Sequence, residues 1–171
     1  PDDLATILYT SGTTGEPKGV MLSQRNLATN SIATSKVVGA DAHEIRLNSL
    51  PLSHIYARMC DLYTWLYTGA QIAIARRRET VVEDCRLVRP HTINGVPYFY
   101  EKLIQHLVAT GKENEPGALA SLLGGRIRLC CCGGAALPKP VAQFFEKQRV
   151  ALIPGYGLTE SSPVISIARP E

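Results

Sequence analysis

The sequence has no apolar run approaching the roughly eighteen residues that a membrane-spanning helix requires, so nothing in its 171 residues argues for such a span. It has no secretory leader pattern either, because Pro1-Asp2-Asp3 is acidic where a signal peptide is basic. Methionine is missing from the first position, and the chain reads as a piece of a longer protein. A marked excess of one charge is also missing. Lys and Arg number 18 against 15 Asp and Glu, which leaves +3, too little to specify nucleic acid or an anionic membrane. The one basic cluster, Arg76-Arg77-Arg78, runs straight into Glu79 and reads as a solvated loop. Paired-cysteine patterns are absent: the five cysteines at 60, 85, 130, 131 and 132 form no CxxC. An odd count without a leader predicts free thiols, a reducing compartment and a cytoplasmic location. Consecutive strand residues point to opposite faces, so Cys130-Cys131-Cys132 reads as three small hydrophobes of a buried strand rather than a metal site.

What is present is the composition of one folded domain. Hydrophobic residues make up 45% and charged residues 19%, a globular balance at a length that permits a real core. Strand-like runs alternate with longer helix-like ones. Residues 4–9 (LATILY) read as a buried strand and 20–22 as a short second one, with Ser23 placed to cap a helix over 24–38. Strand patterns follow at 45–50, 71–75, 92–96, 126–132 and 150–153. Helix patterns lie at 55–67, where Gly69 supplies the stop, and at 80–88, 98–109, 118–123 and 138–148. Residues 111–117 are a polar loop, the segment expected to be least ordered. This alternation predicts an α/β fold with a largely parallel sheet flanked by helices on both faces. Ligands of such sheets bind beyond the carboxyl ends of the strands.

Three segments fall at predicted strand ends. YTSGTTGEPKG at 9–19 follows LATILY. Gly12 and Gly15 permit close backbone approach; Thr10, Ser11, Thr13 and Thr14 add hydroxyls beside backbone N–H groups that form anion-binding concavities; and Lys18 is a flexible cation suited to a terminal phosphate. The order is not that of a Walker loop, because Glu16 and Pro17 separate Gly15 from Lys18 and Gly19 follows it. Gly133-Gly134-Ala135-Ala136 ends the 126–132 strand, where small side chains let a flat group lie against the backbone; a plain tight turn would look the same. Gly155-Tyr156-Gly157-Leu158-Thr159-Glu160 follows the 150–153 strand. There Tyr156 can offer its ring to a planar base, Thr159 a hydroxyl to a phosphate, and Glu160 a hard oxygen to Mg²⁺.

Together, YTSGTTGEPKG and GYGLTE resemble the phosphate loop and the adenine-and-magnesium segment of the adenylate-forming (AMP-binding) superfamily, which includes acyl-CoA synthetases, peptide-synthetase adenylation domains and luciferases. The resemblance runs over essentially the whole chain. It implies that residues 1–171 are the central part of a large N-terminal AMP-binding domain of the acyl-CoA synthetase type, with the rest of that domain and a C-terminal lid domain lying outside. It further implies that a carboxylate attacks the α-phosphate of ATP and that a thiol, usually of coenzyme A, then displaces AMP. By the resemblance, Thr10, Ser11, Gly12, Thr13, Thr14, Gly15 and Lys18 hold the β- and γ-phosphates, while Gly134, Ala135 and Ala136 line the adenine and acyl side. Gly155 and Tyr156 bracket the adenine, with Gly157 beside them in the nucleotide-binding set. Thr159 contacts the α-phosphate, and Glu160, with Thr10, ligates Mg²⁺. Lys18, Thr159 and Glu160 form the implied catalytic set.

Leu50-Pro51-Leu52-Ser53-His54-Ile55, followed by Tyr56-Ala57-Arg58-Met59, is similar to the start of the acyl pocket in long-chain fatty acyl-CoA synthetases. His54 there would orient the carboxylate or border the acyl tunnel, or else be a hydrogen-bonded histidine at a strand end. Ala57, Tyr98, Cys132 and Pro154 depart from the family pattern. The implied partners are small molecules (ATP, a fatty acid and coenzyme A) and no nucleic acid; a long-chain substrate would suggest loose peripheral membrane association. The alternatives are a nucleotide-binding module without ligase activity and a different adenylating enzyme. An exposed apolar face is expected wherever the chain's natural neighbours would pack.

Overall fold

The computed structural model describes residues 1–11 and 15–169. Strands β1 (Leu4–Thr10) and β2 (Lys18–Ser23) pair antiparallel as a hairpin of their own. Ser23 then caps α1 (Gln24–Val38): its Oγ accepts from the Asn26 N–H, and Asn26 Oδ1 accepts from the Ser23 N–H. The main sheet has six strands in the order β4 (Gln71–Ile74), β3 (Ile45–Asn48), β5 (Thr92–Gly95), β6 (Leu129–Cys132), β7 (Leu152–Gly157) and β8 (Val164–Ile167). All neighbours are parallel except β7 and β8, so the expected α/β architecture with a largely parallel sheet is what the chain adopts.

The expectation of LATILY as a buried strand is corrected. Leu8 and Leu22 turn inward, but Leu4, Ile7, Tyr9 and Met21 are exposed. A two-stranded ribbon has only one face to bury, and Ile7 and Met21 pair across the other. The hairpin therefore carries one exposed apolar face; Leu66, Tyr67 and Ile74 are exposed elsewhere. The loop at 111–117 is not loose either. Gln148 Nε2 donates to the Glu113 and Glu115 carbonyls, and Lys147 Nζ donates to Asn114 Oδ1.

The two faces of the main sheet differ in chemistry. Leu47, Ile93, Cys130 and Cys132 point to one side, where α4 (Val81–Val88), α5 (Pro97–Ala109), α6 (Ala118–Leu122) and α7 (Lys139–Lys147) close the main core around Tyr100, Leu103 and Phe145. The alternate residues Arg46, Asn48, Thr92 and Asn94 are just as buried but polar. Cys131 joins Val38, Leu129 and Ile153 in a separate small cluster, so the cysteine triplet does split between faces as strand alternation requires. All five thiols are free and buried.

The polar face is covered by α1 and by one helical stretch built of α2 (Ile55–Ala57), a π-helical segment over Arg58–Tyr63, and α3 (Thr64–Thr68), which Gly69 ends at φ 71°. The π segment, absent from the sequence reading, presents Asp61 to the sheet. Its two carboxylate oxygens accept from Asn48 Nδ2 at 2.8 Å and Asn94 Nδ2 at 2.6 Å. Burial pushes the Asp61 carboxyl up to about 6, against the opposing pull of the two asparagines and Arg46. The folded chain thus holds this proton more tightly than the unfolded chain does. Its contribution to stability is greatest below about pH 4 and is lost as pH rises through about 6. Compared with an Asp61→Asn variant, urea midpoints of the native chain should show a relative loss of roughly 2–3 kcal/mol between pH 4 and pH 7. A pH-independent difference would contradict the assignment.

Candidate functional site

A cleft of about 330 Å³ runs along the polar face of the sheet and opens at the carboxyl ends of β6 and β7. Thr10 and Ser11 border it from the hairpin, Gly133 and Gly134 from the end of β6, and Gly155, Tyr156, Gly157, Thr159 and Glu160 from β7 and the 3₁₀ turn Thr159–Ser161. The three segments singled out in the sequence therefore converge on one opening. Gly155-Tyr156-Gly157 is not a loop, however. It is the outer half of β7, kept extended by antiparallel pairing with β8.

Other expected residues lie around this opening rather than in it. Lys18 pairs directly across the hairpin from Thr10 and is exposed; opposite residues of an antiparallel pair share a face, so Lys18 stands beside Thr10 at the mouth. Gly15, at φ 89°, begins the return toward β2. Ala135 and Ala136 are exposed next to Gly134 but do not line the cleft. Gly12, Thr13 and Thr14 lie outside the described residues.

Close backbone approaches build the cleft. The Tyr56 ring lies flat against Gly133, where a Cβ would stand 2.9 Å from the ring. Tyr56 Oη donates to the Cys131 carbonyl at 3.0 Å, and burial raises the phenol well above its ordinary value. Gly157 likewise leaves no room for a Cβ, which would collide with the Pro163 carbonyl. Asn30 of α1 clasps the Val164 backbone, donating from Nδ2 to its carbonyl and accepting its N–H on Oδ1. Arg58 donates to the Leu52 carbonyl at 3.0 Å and to Thr6 Oγ1 at 3.1 Å, which docks the hairpin onto the segment before α2. His54 caps α2 by accepting the Tyr56 N–H on Nδ1 at 3.2 Å. His54 is thus a hydrogen-bonded histidine, and the bond assigns the proton of the neutral ring to Nε2.

Matching of the AMP-binding enzyme family model extends over residues 1–171. The chain belongs to the AMP-binding enzyme family. This AMP-binding chain is 30% identical to Long chain acyl-CoA synthetase 6, peroxisomal, of Arabidopsis thaliana, over 97% of its own length and 28% of that protein. It is 32% identical to 4-coumarate–CoA ligase 1 of Oryza sativa subsp. japonica, over 98% of its own length and 29% of that protein. The crystal structure of ATP-bound MatB from Rhodopseudomonas palustris superposes with a TM-score of 0.78 at 28% identity, covering 98% of this chain and 31% of that one. The chain spans less than a third of the length of the relatives it matches.

Sequence reasoning missed the inner half of the cleft, where Arg46, Thr34, Thr92 and Asn94 line the wall toward the amino ends of β3, β5 and β6. The signal was present in IRLN and TING, whose period of two sets Arg46 with Asn48, and Thr92 with Asn94, on one face. The tight Tyr56–Gly133 contact yields a direct test. Gly133→Ala should tilt the ring, break its bond to Cys131 and destabilise the chain by about 1–3 kcal/mol. An unchanged urea midpoint would show that the ring has room to move.

Proposed function

We propose that the full-length protein is an ATP-dependent acid–thiol ligase, and that residues 1–171 are the central part of its N-terminal AMP-binding domain. It would activate a carboxylic acid as the acyl-adenylate, releasing pyrophosphate, and pass the acyl group to coenzyme A with loss of AMP. The observation that carries this reading is the convergence of Thr10 and Ser11, Gly133 and Gly134, and Gly155 to Glu160 on one cleft. Family membership and the ATP-bound neighbour support it. Phosphoryl and nucleotidyl transfer depend on positioning and charge neutralisation more than on covalent help. The chain supplies hydroxyls, backbone N–H groups and the Lys18 cation for the phosphates, and the Tyr156 ring, 63% exposed, as a platform for adenine. Thr159, which lines the cleft, would contact the α-phosphate, and His54 would orient the attacking carboxylate.

The donor set fits Mg²⁺. Glu160 and Thr10 offer oxygen ligands to one cleft, and no cage of three or more metal-ligating side chains occurs among the described residues. A site with one or two protein oxygens suits an ion that keeps its waters and binds substrate phosphates. When bound, the ion would offset the charge of the phosphates.

The acid is proposed to be a long-chain fatty acid. The LPLSHIYARM segment and the Arabidopsis relative support this, as does a second cavity of about 710 Å³ that opens beside His54 and Gly134 and is walled by Leu50, Val81, Val96, Phe99 and Leu103. Such a substrate would bring the protein loosely to membrane surfaces. The 4-coumarate–CoA ligase relative favours, as a second reading, another organic acid in the same reaction.

The full-length protein should exchange labelled pyrophosphate into ATP only when a carboxylic acid is present. ATP binding in calorimetry with no exchange for any acid would leave a nucleotide-binding module and remove the ligase. Glu160→Ala should lower exchange by about a hundredfold or more. Lys18→Ala should cost less, about tenfold, because backbone donors of the loop remain.

A further inference from the structure

We propose that Arg46 reads a second carboxylate at the far end of the acid, so that the cleft prefers an α,ω-dicarboxylic acid of medium length to the matching monocarboxylic acid. This rests on the acid–thiol ligase reading and adds a specificity-determining residue to the same site.

Arg46 is only 4% exposed, and its guanidinium is half used. Nη1 donates to the Cys60 carbonyl at 2.9 Å, while Nε and Nη2 are buried with no hydrogen-bond partner among the described residues. These two atoms form the side-on edge of the fork, the edge that a carboxylate meets with two parallel N–H···O bonds. Two more buried polar atoms face the same space unpaired, Thr34 Oγ1 from α1 and Thr92 Oγ1 from β5. Asp61 bonds Asn48 and Asn94 and makes no hydrogen bond to Nε or Nη2 of Arg46 among the described residues. A hydrocarbon end placed there would leave the guanidinium donors without a partner, at a penalty that disfavours it. A carboxylate satisfies them.

The reach fits. Arg46 pairs with Thr92, and Thr92 pairs with Leu129, at the amino ends of β5 and β6. At about 3.3 Å per residue, the arginine level lies roughly 10–13 Å along the sheet from Gly133, close to the span of an eight-carbon diacid. The wall between the two ends is mixed, with Val38, Cys60, Cys131 and Ile167 beside Asn94. The apolar cavity opens from the same border at His54 and Gly134, so a hydrocarbon tail and a carboxylate-tipped one have separate places.

The test uses pyrophosphate exchange by the full-length protein with octanoate, octanedioate, 8-hydroxyoctanoate and palmitate. Octanedioate should exceed octanoate in kcat/KM by about tenfold or more, as expected for a buried charge-assisted pair, with the hydroxy acid between them. Arg46→Met should abolish that preference. Arg46→Lys, which keeps the charge and loses the two-pronged edge, should reduce it without reversing it. Native protein that uses octanoate or palmitate but gains nothing from octanedioate overturns the Arg46 assignment and leaves the ligase standing. No exchange with any of the four acids overturns both. The native comparison decides the question even if the variants do not fold.

Discussion

A single buried carboxylate organises the polar half of this molecule. Asp61 receives one hydrogen bond from β3 through Asn48 and one from β5 through Asn94, and so ties two adjacent strands to the π segment of the covering helix. A buried acid is expensive to desolvate unless its oxygens are fully engaged. Here each oxygen accepts one bond, which offsets part of that cost and holds the helix against the sheet. The same segment offers the Cys60 carbonyl to Arg46 and continues directly from α2, which His54 caps and which carries Tyr56. The positions of these groups therefore follow from one anchoring point. A π-helical turn, uncommon in itself, recurs at functional sites because the extra residue re-aims side chains; in this chain it is Asp61 that is aimed.

From that anchor the cleft is assembled by contact rather than by charge. Tyr56 lies on Gly133 and bonds the β6 backbone, Asn30 holds β8 beside β7, and Arg58 draws the hairpin toward the segment preceding α2. The result is an opening whose hydroxyl groups at Thr10 and Ser11 come from the hairpin, whose exposed Tyr156 ring comes from an extended strand, and whose Glu160 carboxylate lies on a short 3₁₀ turn. Elements that are rigid for separate reasons can hold a bound small molecule in place at little entropic cost.

Much of this was legible in the residues. The alternation of apolar strands with amphipathic helices pointed to the largely parallel sheet, and glycine-rich segments at the strand ends marked the opening. Ser23 and Gly69 fixed helix ends as their cap chemistry requires. Three things were not legible. LATILY is apolar enough to pass for a central strand, and only its pairing into a separate ribbon shows that half of it faces outward. Gly155-Tyr156-Gly157 looks like a turn by composition, yet antiparallel pairing with the β-branched VISI stretch of β8, a partner that a local window does not reveal, holds it extended. Arg46 and Asp61 are charged residues in short segments, and charge ordinarily reads as surface. Their burial depends on partners 13 to 33 positions apart in the chain, a relation that no local window contains.

The cysteines leave one practical consequence. Burial pushes Cys132 up to about 11 and Cys85 and Cys131 up to about 12, with Cys60 and Cys130 also raised. None of the five is appreciably ionised near neutrality, and alkylating reagents attack the thiolate. Cys85 and Cys130, enclosed in the main core, are then open to modification only from a state in which the layers have parted, whereas Cys60 and Cys131 border the cleft. Because the triplet of β6 is divided between the two sides of the sheet, the order in which its sulfurs become reactive would tell which side lets go first.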